Sequence, residues 1–170
     1  IFTLIYTIVM AIRKNQPVFK RVQLPAFQQI LLVGCFLGIL TFVVRIFSPI
    51  GEWFLDMQLA HWIHYLFIFP VGLIAYRNQW LEQINPELGK KAGWAVLGLL
   101  VLLPLLLIAG GALQGMAGLV SFIGGLTWQS ALYSVWESLM MLSMILWLLS
   151  FFKKHFDQSG KLTRFFTGNV

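Results

Sequence analysis

Charge is scarce in this chain: Asp, Glu, Lys and Arg make up 11% of its 170 residues, against about a quarter in a soluble domain. With 59% hydrophobic residues as well, too little polar side chain is available to coat a water-facing surface, which excludes an ordinary soluble globular domain. Cysteine is scarcer still. The lone Cys35 excludes an intrachain disulfide and a paired-cysteine metal site. The chain also lacks a phosphate-binding Walker loop, a GxSxG elbow, an HExxH helix and a dinucleotide fingerprint, so the enzyme classes built on those motifs find no support. The net charge of +6 does not imply nucleic acid, because the basic residues cluster between apolar spans, as they do in membrane proteins.

What is present are the spans themselves. The sequence predicts an all-α, polytopic transmembrane helix bundle of about five membrane segments, the first truncated. Ile1 to Ile12 is too short to cross hydrocarbon and reads as the end of a cut helix. The chain as a whole then reads as an internal piece of a longer polytopic protein, with residues 1–170 forming part of one transmembrane domain. Further spans are expected from Ala26 to Phe47, from about Leu55 or Ala60 to Tyr76, from Trp94 to about Leu113, and from Thr127 to Lys154. Pro70 and Gly72 predict a kink in the third. The fourth offers no group for chemistry and is expected to face lipid. The Gly-rich stretch 110–125 is consistent with a loop, a short interfacial helix or a re-entrant segment. Gly34 and Gly38 stand at GxxxG spacing, which permits either close helix approach or mere tolerance of small residues in a membrane helix.

Lys and Arg number four, one, three, zero and four in successive connectors, with Arg45 assigned to the second. The alternation predicts that loops 13–25 and 77–93 and the C-terminal 153–170 are cytoplasmic, and that the other two connectors face outside.

The last span holds the residue that organises the reading. Glu137 lies roughly 13 Å in from Trp128 at helical rise, and an ionised carboxylate in lipid costs several kcal/mol. Ser130, Tyr133, Ser134, Ser138 and Met141 share its face at three- and four-residue spacing. That face is expected to look inward, to other helices or a wet cavity. Glu137 is therefore the candidate for a proton or substrate pathway, with a structural ion pair as the alternative. Arg45, near the outer end of its span, either snorkels to the headgroups or meets a partner or an anionic ligand. His61 and His64 fall at i,i+3. That spacing can hold a metal, serve a general base or form an interfacial belt, but no third ligand is evident and no metal is expected.

Two stretches carry a resemblance. RIFSPIGEWFLDMQLAHWIHYLFIFPVGLIAYRNQWL, from Arg45 to Leu81, presents Arg45, Pro49, Gly51, Met57, Gln58, Leu59, Tyr65, Phe69, Gly72, Ala75, Tyr76, Arg77, Trp80 and Leu81 in the order of a recurring pattern. GGLTWQSALYSVWES, from Gly124 to Ser138, presents a second. Together with IFTLIY at the start, the chain resembles the acyltransferase 3 family of bacterial membrane O-acyltransferases.

The resemblance implies transfer of an acyl group, commonly acetyl, from cytoplasmic acyl-CoA to a hydroxyl of a cell-envelope carbohydrate at the bacterial inner membrane. Acyl-CoA would be the donor substrate, with no bound cofactor. The family's catalytic histidine lies on an upstream helix, and His61 and His64 do not match it. Glu137 remains the catalytic candidate, while Arg45, Gln58, His61, Trp128 and Gln129 are the candidate substrate-binding residues. HWIHY departs from the family's F-P-Q-Y-like sequence, which leaves the acceptor open. A transporter with an intramembrane acid and a non-catalytic scaffold are the competing readings.

Overall fold

A computed structural model describes residues 22–54 and 57–156; the expected first span and the stretch 157–170 lie outside them. The chain is an all-α bundle. Its helices are α1 (Phe27–Phe47), α2 (Trp62–Arg77), α3 (Trp80–Gln83), α4 (Pro86–Ala109), α5 (Met116–Ile123) and α6 (Trp128–Phe156). Between α1 and α2 lies a two-residue antiparallel ladder, β1 (Trp53–Phe54) with β2 (Met57–Gln58), which sets Trp53 opposite Gln58. A 3₁₀ turn, Leu59–His61, leads into α2. Four helical segments among the described residues are long and apolar enough to cross a membrane: Phe27–Phe47, Leu59–Arg77, Pro86–Ala109 and Trp128–His155. At helical rise the shortest of these spans a little under 30 Å, close to the hydrocarbon thickness.

α6 is the central helix, packed most extensively against α1 on one side and α4 on the other. Glycine makes the first contact possible. A Cβ on Gly38 would lie 2.5 Å from the Val135 Cα, and one on Gly34 would lie 2.8 Å from Leu139 Cδ2. The GxxxG pair is therefore a close-approach motif. It brings backbone to backbone where lipid supplies no hydrophobic drive for helix association. α4 also meets α6 through glycines, here against side chains, with Gly89 on Ser150 and Gly93 on Trp147. The Trp136 indole donates 2.7 Å to the Leu99 carbonyl across the same interface. Leu100, Val101, Leu105 and Ile108 point outward, so α4 presents a lipid face and a packed face.

The fourth span corrects the expectation. It begins at Pro86, not Trp94, and ends at Ala109, not Leu113. Asn85 caps it by accepting from the Leu88 N–H at 2.7 Å, and Pro86 occupies the first helical position, where its missing N–H costs nothing. Glu87 and Lys91 pair at i,i+4, 2.8 Å apart. The stretch 77–93 is therefore mostly helical: it contains α3 and the first turns of α4. The Gly-rich stretch resolves into a 3₁₀ turn, Ala112–Gln114, and the eight-residue α5. Pro70 lies inside α2.

The two ends of the bundle are tied differently. At one end, Val22 N–H donates to Asn78 Oδ1, Leu24 N–H to Gln83 Oε1, and the Trp80 indole to the Val22 carbonyl, each at 2.8 Å. Lys153 Nζ donates to the carbonyls of Leu81, Glu82 and Ile84 at 2.8–3.0 Å, satisfying groups that the end of a short helix leaves open. At the other end, Gly125 N–H donates to the Arg45 carbonyl at 3.1 Å and Ile50 N–H to the Ile123 carbonyl at 3.0 Å. Gly124 sits so close that a Cβ there would lie 2.8 Å from the Arg45 carbonyl oxygen. The α5–α6 turn is thereby fastened to the end of α1.

Gly38→Leu is expected to lower the unfolding midpoint of the detergent-solubilised protein by the equivalent of about 1–3 kcal/mol, the usual cost of overpacking. Gly72→Ala, with nothing within 4 Å of the added methyl, is expected to leave that midpoint unchanged.

Candidate functional site in the membrane interior

The site forms where the C-terminal end of α1, the start of α2 and the first third of α6 meet. α1 buries Gly34, Leu37, Gly38, Thr41 and Arg45 along one stripe. α6 buries Ser130, Ser134 and Ser138 at successive four-residue steps, each fully enclosed. Small hydroxyl side chains let the helices close; those of Ser134 and Ser138 fold back along α6, while Ser130 Oγ has no partner among the described residues. Ser134 Oγ donates to the Ser130 carbonyl at 2.8 Å and Ser138 Oγ to the Ser134 carbonyl at 3.0 Å.

Arg45 is 0% exposed. It does not snorkel. Its Nη2 forms an ion pair and hydrogen bond with Glu137 Oε2, and its Nη1 donates to Ser134 Oγ at 3.1 Å. Its guanidinium carbon also stands 5.4 Å from the centroid of the Tyr133 ring, within cation–π range. Of the sequence alternatives, a protein partner is therefore the one the fold provides. Glu137 is about a quarter exposed (24%), and so is His61 (25%), whose Nδ1 lies 3.1 Å from Glu137 Oε1. His64 is buried, with Nε2 2.7 Å from Ser138 Oγ.

A Ser138 hydroxyl that donates to the Ser134 carbonyl leaves its oxygen to accept from His64 Nε2–H. His61 Nδ1 lies 3.1 Å from Glu137 Oε1 and 3.5 Å from Arg45 Nη2, between an acidic and a basic side chain.

The face expected from Ser130, Tyr133, Ser134 and Ser138 does look inward. The sequence did not connect His64 to Ser138 or Tyr133 to Arg45. Only the shared helical face of the serines hinted at the first, and nothing in the spacing pointed to the second. The other candidates lie elsewhere. Gln58 sits in β2 opposite Trp53, Trp128 is half exposed on the first turn of α6, and Gln129 Nε2 contacts the Gly110 carbonyl at 3.5 Å. None of these three shares a hydrogen bond with the Arg45–Glu137 cluster among the described residues.

Glu137 also supplies what the sequence left out, a third side chain of metal-ligating type beside the two histidines. One donor atom from each of His61, His64 and Glu137 falls within 4.8 Å of the others. Charge argues against a divalent ion there. The single carboxylate is already neutralised by Arg45, whose guanidinium would repel a cation at this range.

Comparison with known protein families, with curated proteins and with solved structures finds no match for the chain. The fold and the chemistry of the site therefore carry the functional argument. The chain is a multi-pass membrane protein with a buried ion pair at one end of its bundle.

Truncating one partner of a buried pair leaves the other charge uncompensated. Arg45→Met is expected to cost about 3 kcal/mol of stability, the low end of the usual range because the carboxylate is partly exposed. Arg45→Met combined with Glu137→Gln should recover part of that loss. Unfolding midpoints across the double-mutant cycle check it, and a coupling near zero would show that the pair is not a unit.

Proposed function

We propose that the chain is part of a membrane O-acyltransferase that moves an acyl group, commonly acetyl, from cytoplasmic acyl-CoA to a hydroxyl of a cell-envelope carbohydrate. The observation that carries the reading is the partly open Glu137–His61 pair backed by the buried Arg45. Acyl transfer to a hydroxyl needs a proton acceptor for the attacking oxygen, and a carboxylate–imidazole pair is such a device. The resemblance of Arg45–Leu81 and Gly124–Ser138 to the acyltransferase 3 family supports the same reaction, with the family's own histidine contributed by an upstream helix.

A second feature is compatible with an acyl donor. At the end opposite the cluster, an apolar cleft of about 760 Å³ runs between α1, α2 and α6, lined by Ile30, Val33, Phe67, Val71 and Leu146, with Arg77 at its rim. Its lining suits an acyl chain, and it lies beside Arg77 at the start of the basic stretch 77–93. In this reading that side is the cytoplasm of a bacterial inner membrane, and the Glu137–His61 pair opens outward.

A transporter is the competing reading, since an acid inside a membrane bundle also serves ion coupling. Transfer of radiolabel from acetyl-CoA to envelope carbohydrate, measured in native membranes containing the intact protein, separates the two. Wild type is expected to transfer label, and Glu137→Gln to lose at least tenfold of that rate while still inserting. Absence of transfer from acetyl-CoA and from a longer acyl-CoA, in correctly inserted wild type, would overturn the acyltransferase reading and favour the transporter.

A further inference from the structure

We infer that the apolar cleft between α1, α2 and α6 binds one acyl chain of a bilayer phospholipid, with the lipid phosphate at Arg77 and an ammonium headgroup beside Glu82. The inference goes beyond the acyltransferase reading and does not rest on it. An acetyl donor would fill only a small part of this cleft.

The cleft exists because α2 is tied to the rest of the bundle at its two ends. Near its start, His64 Nε2 lies 2.7 Å from Ser138 Oγ on α6. Just past its end, Asn78 Oδ1 accepts from Val22 N–H and the Trp80 indole donates to the Val22 carbonyl, each at 2.8 Å. Between these ties, Phe67 and Val71 of α2 line one wall, and Ile30, Val33 and Leu146 of α1 and α6 line the other, around about 760 Å³. Gly72 also lines the space, and a Cβ there would meet nothing within 4 Å among the described residues. Packed interiors leave few voids larger than a water molecule. Water does not suit this one, because a buried water needs about two to four polar partners and these walls are hydrocarbon. The volume falls within the range of ordinary ligand sites, roughly 300–1,000 Å³.

Depth and rim select the ligand. From Phe67 to Arg77 the cleft follows α2 for about 15 Å at helical rise. That is one leaflet of a hydrocarbon core about 30 Å thick. Its charged and amide lining residues gather at one end, as Arg77, Gln79 and Glu82. Tyr76 and Trp80 stand with them, as aromatic side chains do at the level of lipid headgroups. A guanidinium binds phosphate through paired donors, while the Glu82 carboxylate suits an ammonium and repels a further negative charge. Lys153 adds no second phosphate contact, since it donates to the carbonyls of Leu81, Glu82 and Ile84. A long apolar chain, a phosphate and an ammonium together describe phosphatidylethanolamine. Such a chain would supply contacts that join the middle of α2 to α1 and α6, and the bound lipid would stabilise the folded bundle by mass action.

The test uses the intact protein in maltoside micelles that carry a trace of phosphatidylethanolamine with a diazirine in one chain. Irradiation is expected to label Phe67, Val71 and Leu146 severalfold more than Val101, Leu105 and Ile108, which point outward on α4. Unlabelled phosphatidylethanolamine should suppress the cleft label and leave the α4 label unchanged. Phosphatidylglycerol, which has no ammonium, should suppress it less. A photoactivatable diacylglycerol, which lacks the phosphate, should label the cleft about tenfold less, the low end for a charge-assisted contact. Arg77→Gln should remove that difference, and Gly72→Phe, which fills the cleft, should lose the cleft label alone.

Equal labelling of the cleft and the α4 face, unsuppressed by unlabelled lipid, would mean bulk lipid contact only and overturn the inference. Equal suppression by phosphatidylglycerol would overturn the headgroup assignment, and the inference with it. Displacement of the label by palmitoyl-CoA and not by phosphatidylethanolamine would give the cleft to the acyl donor instead. Crosslinks from the cleft residues to another part of the protein, in place of lipid, would give it to a protein segment and also overturn the inference. The wild-type measurements decide these outcomes without any variant. Acyl transfer from acetyl-CoA bears on none of them, so the two readings fail separately.

Discussion

Arg45 and Glu137 hold each other in a place where neither could stay alone. A guanidinium with no exposed surface is tolerable inside a membrane bundle only if its charge is matched; here Nη1 and Nη2 are used, while Nε finds no partner among the described residues. That requirement propagates outward. α1 and α6 must approach closely enough for a side chain from each to meet, which is why Gly34 and Gly38 face Leu139 and Val135. The flanking positions on α6 must be both small and polar, which serine satisfies at 130, 134 and 138. The Gly124–Gly125 turn must then lie against the end of α1, where Gly125 N–H donates to the carbonyl of Arg45 itself. One ion pair thus accounts for the residue types along the central interface of the bundle.

The opposite end has no comparable cluster among the described residues, and ordinary capping organises it. Lys153 gathers three carbonyls from 81–84, and Asn78, Trp80 and Gln83 bind the segment ahead of α1. These are interactions of the water–lipid boundary, where a lysine can reach polar groups from an apolar stem.

Much of this was legible in the sequence, for reasons specific to membrane chains. Hydropathy alone places α1, α2 and α6 within a few residues, because hydrocarbon tolerates only helices whose backbone groups are satisfied internally. Glu137 stands out because it is the only acid in the last span. The start of α4 was not read correctly. Hydropathy is silent over Asn85–Lys91, where the signal is instead the cap–proline–acid run Asn85, Pro86, Glu87. The partner of Glu137 was beyond reach because Arg45 lies 92 positions away, and which of two outcomes a GxxxG pair produces depends on the facing helix. Gln58, Trp128 and Gln129 share no hydrogen bond with the Arg45–Glu137 cluster among the described residues, and sequence order carries no information on which side chains converge.

Burial also decides what remains available at this end of the bundle. An arginine near the outer end of a span suggests a charge open to its surroundings. Enclosed and paired with Glu137, it belongs instead to the frame, and the side chains left partly exposed are the Glu137 carboxylate and the His61 imidazole. Which groups the opening offers therefore follows from which atoms the contact between α1 and α6 turns inward, and the position of Arg45 in the sequence carries no trace of it.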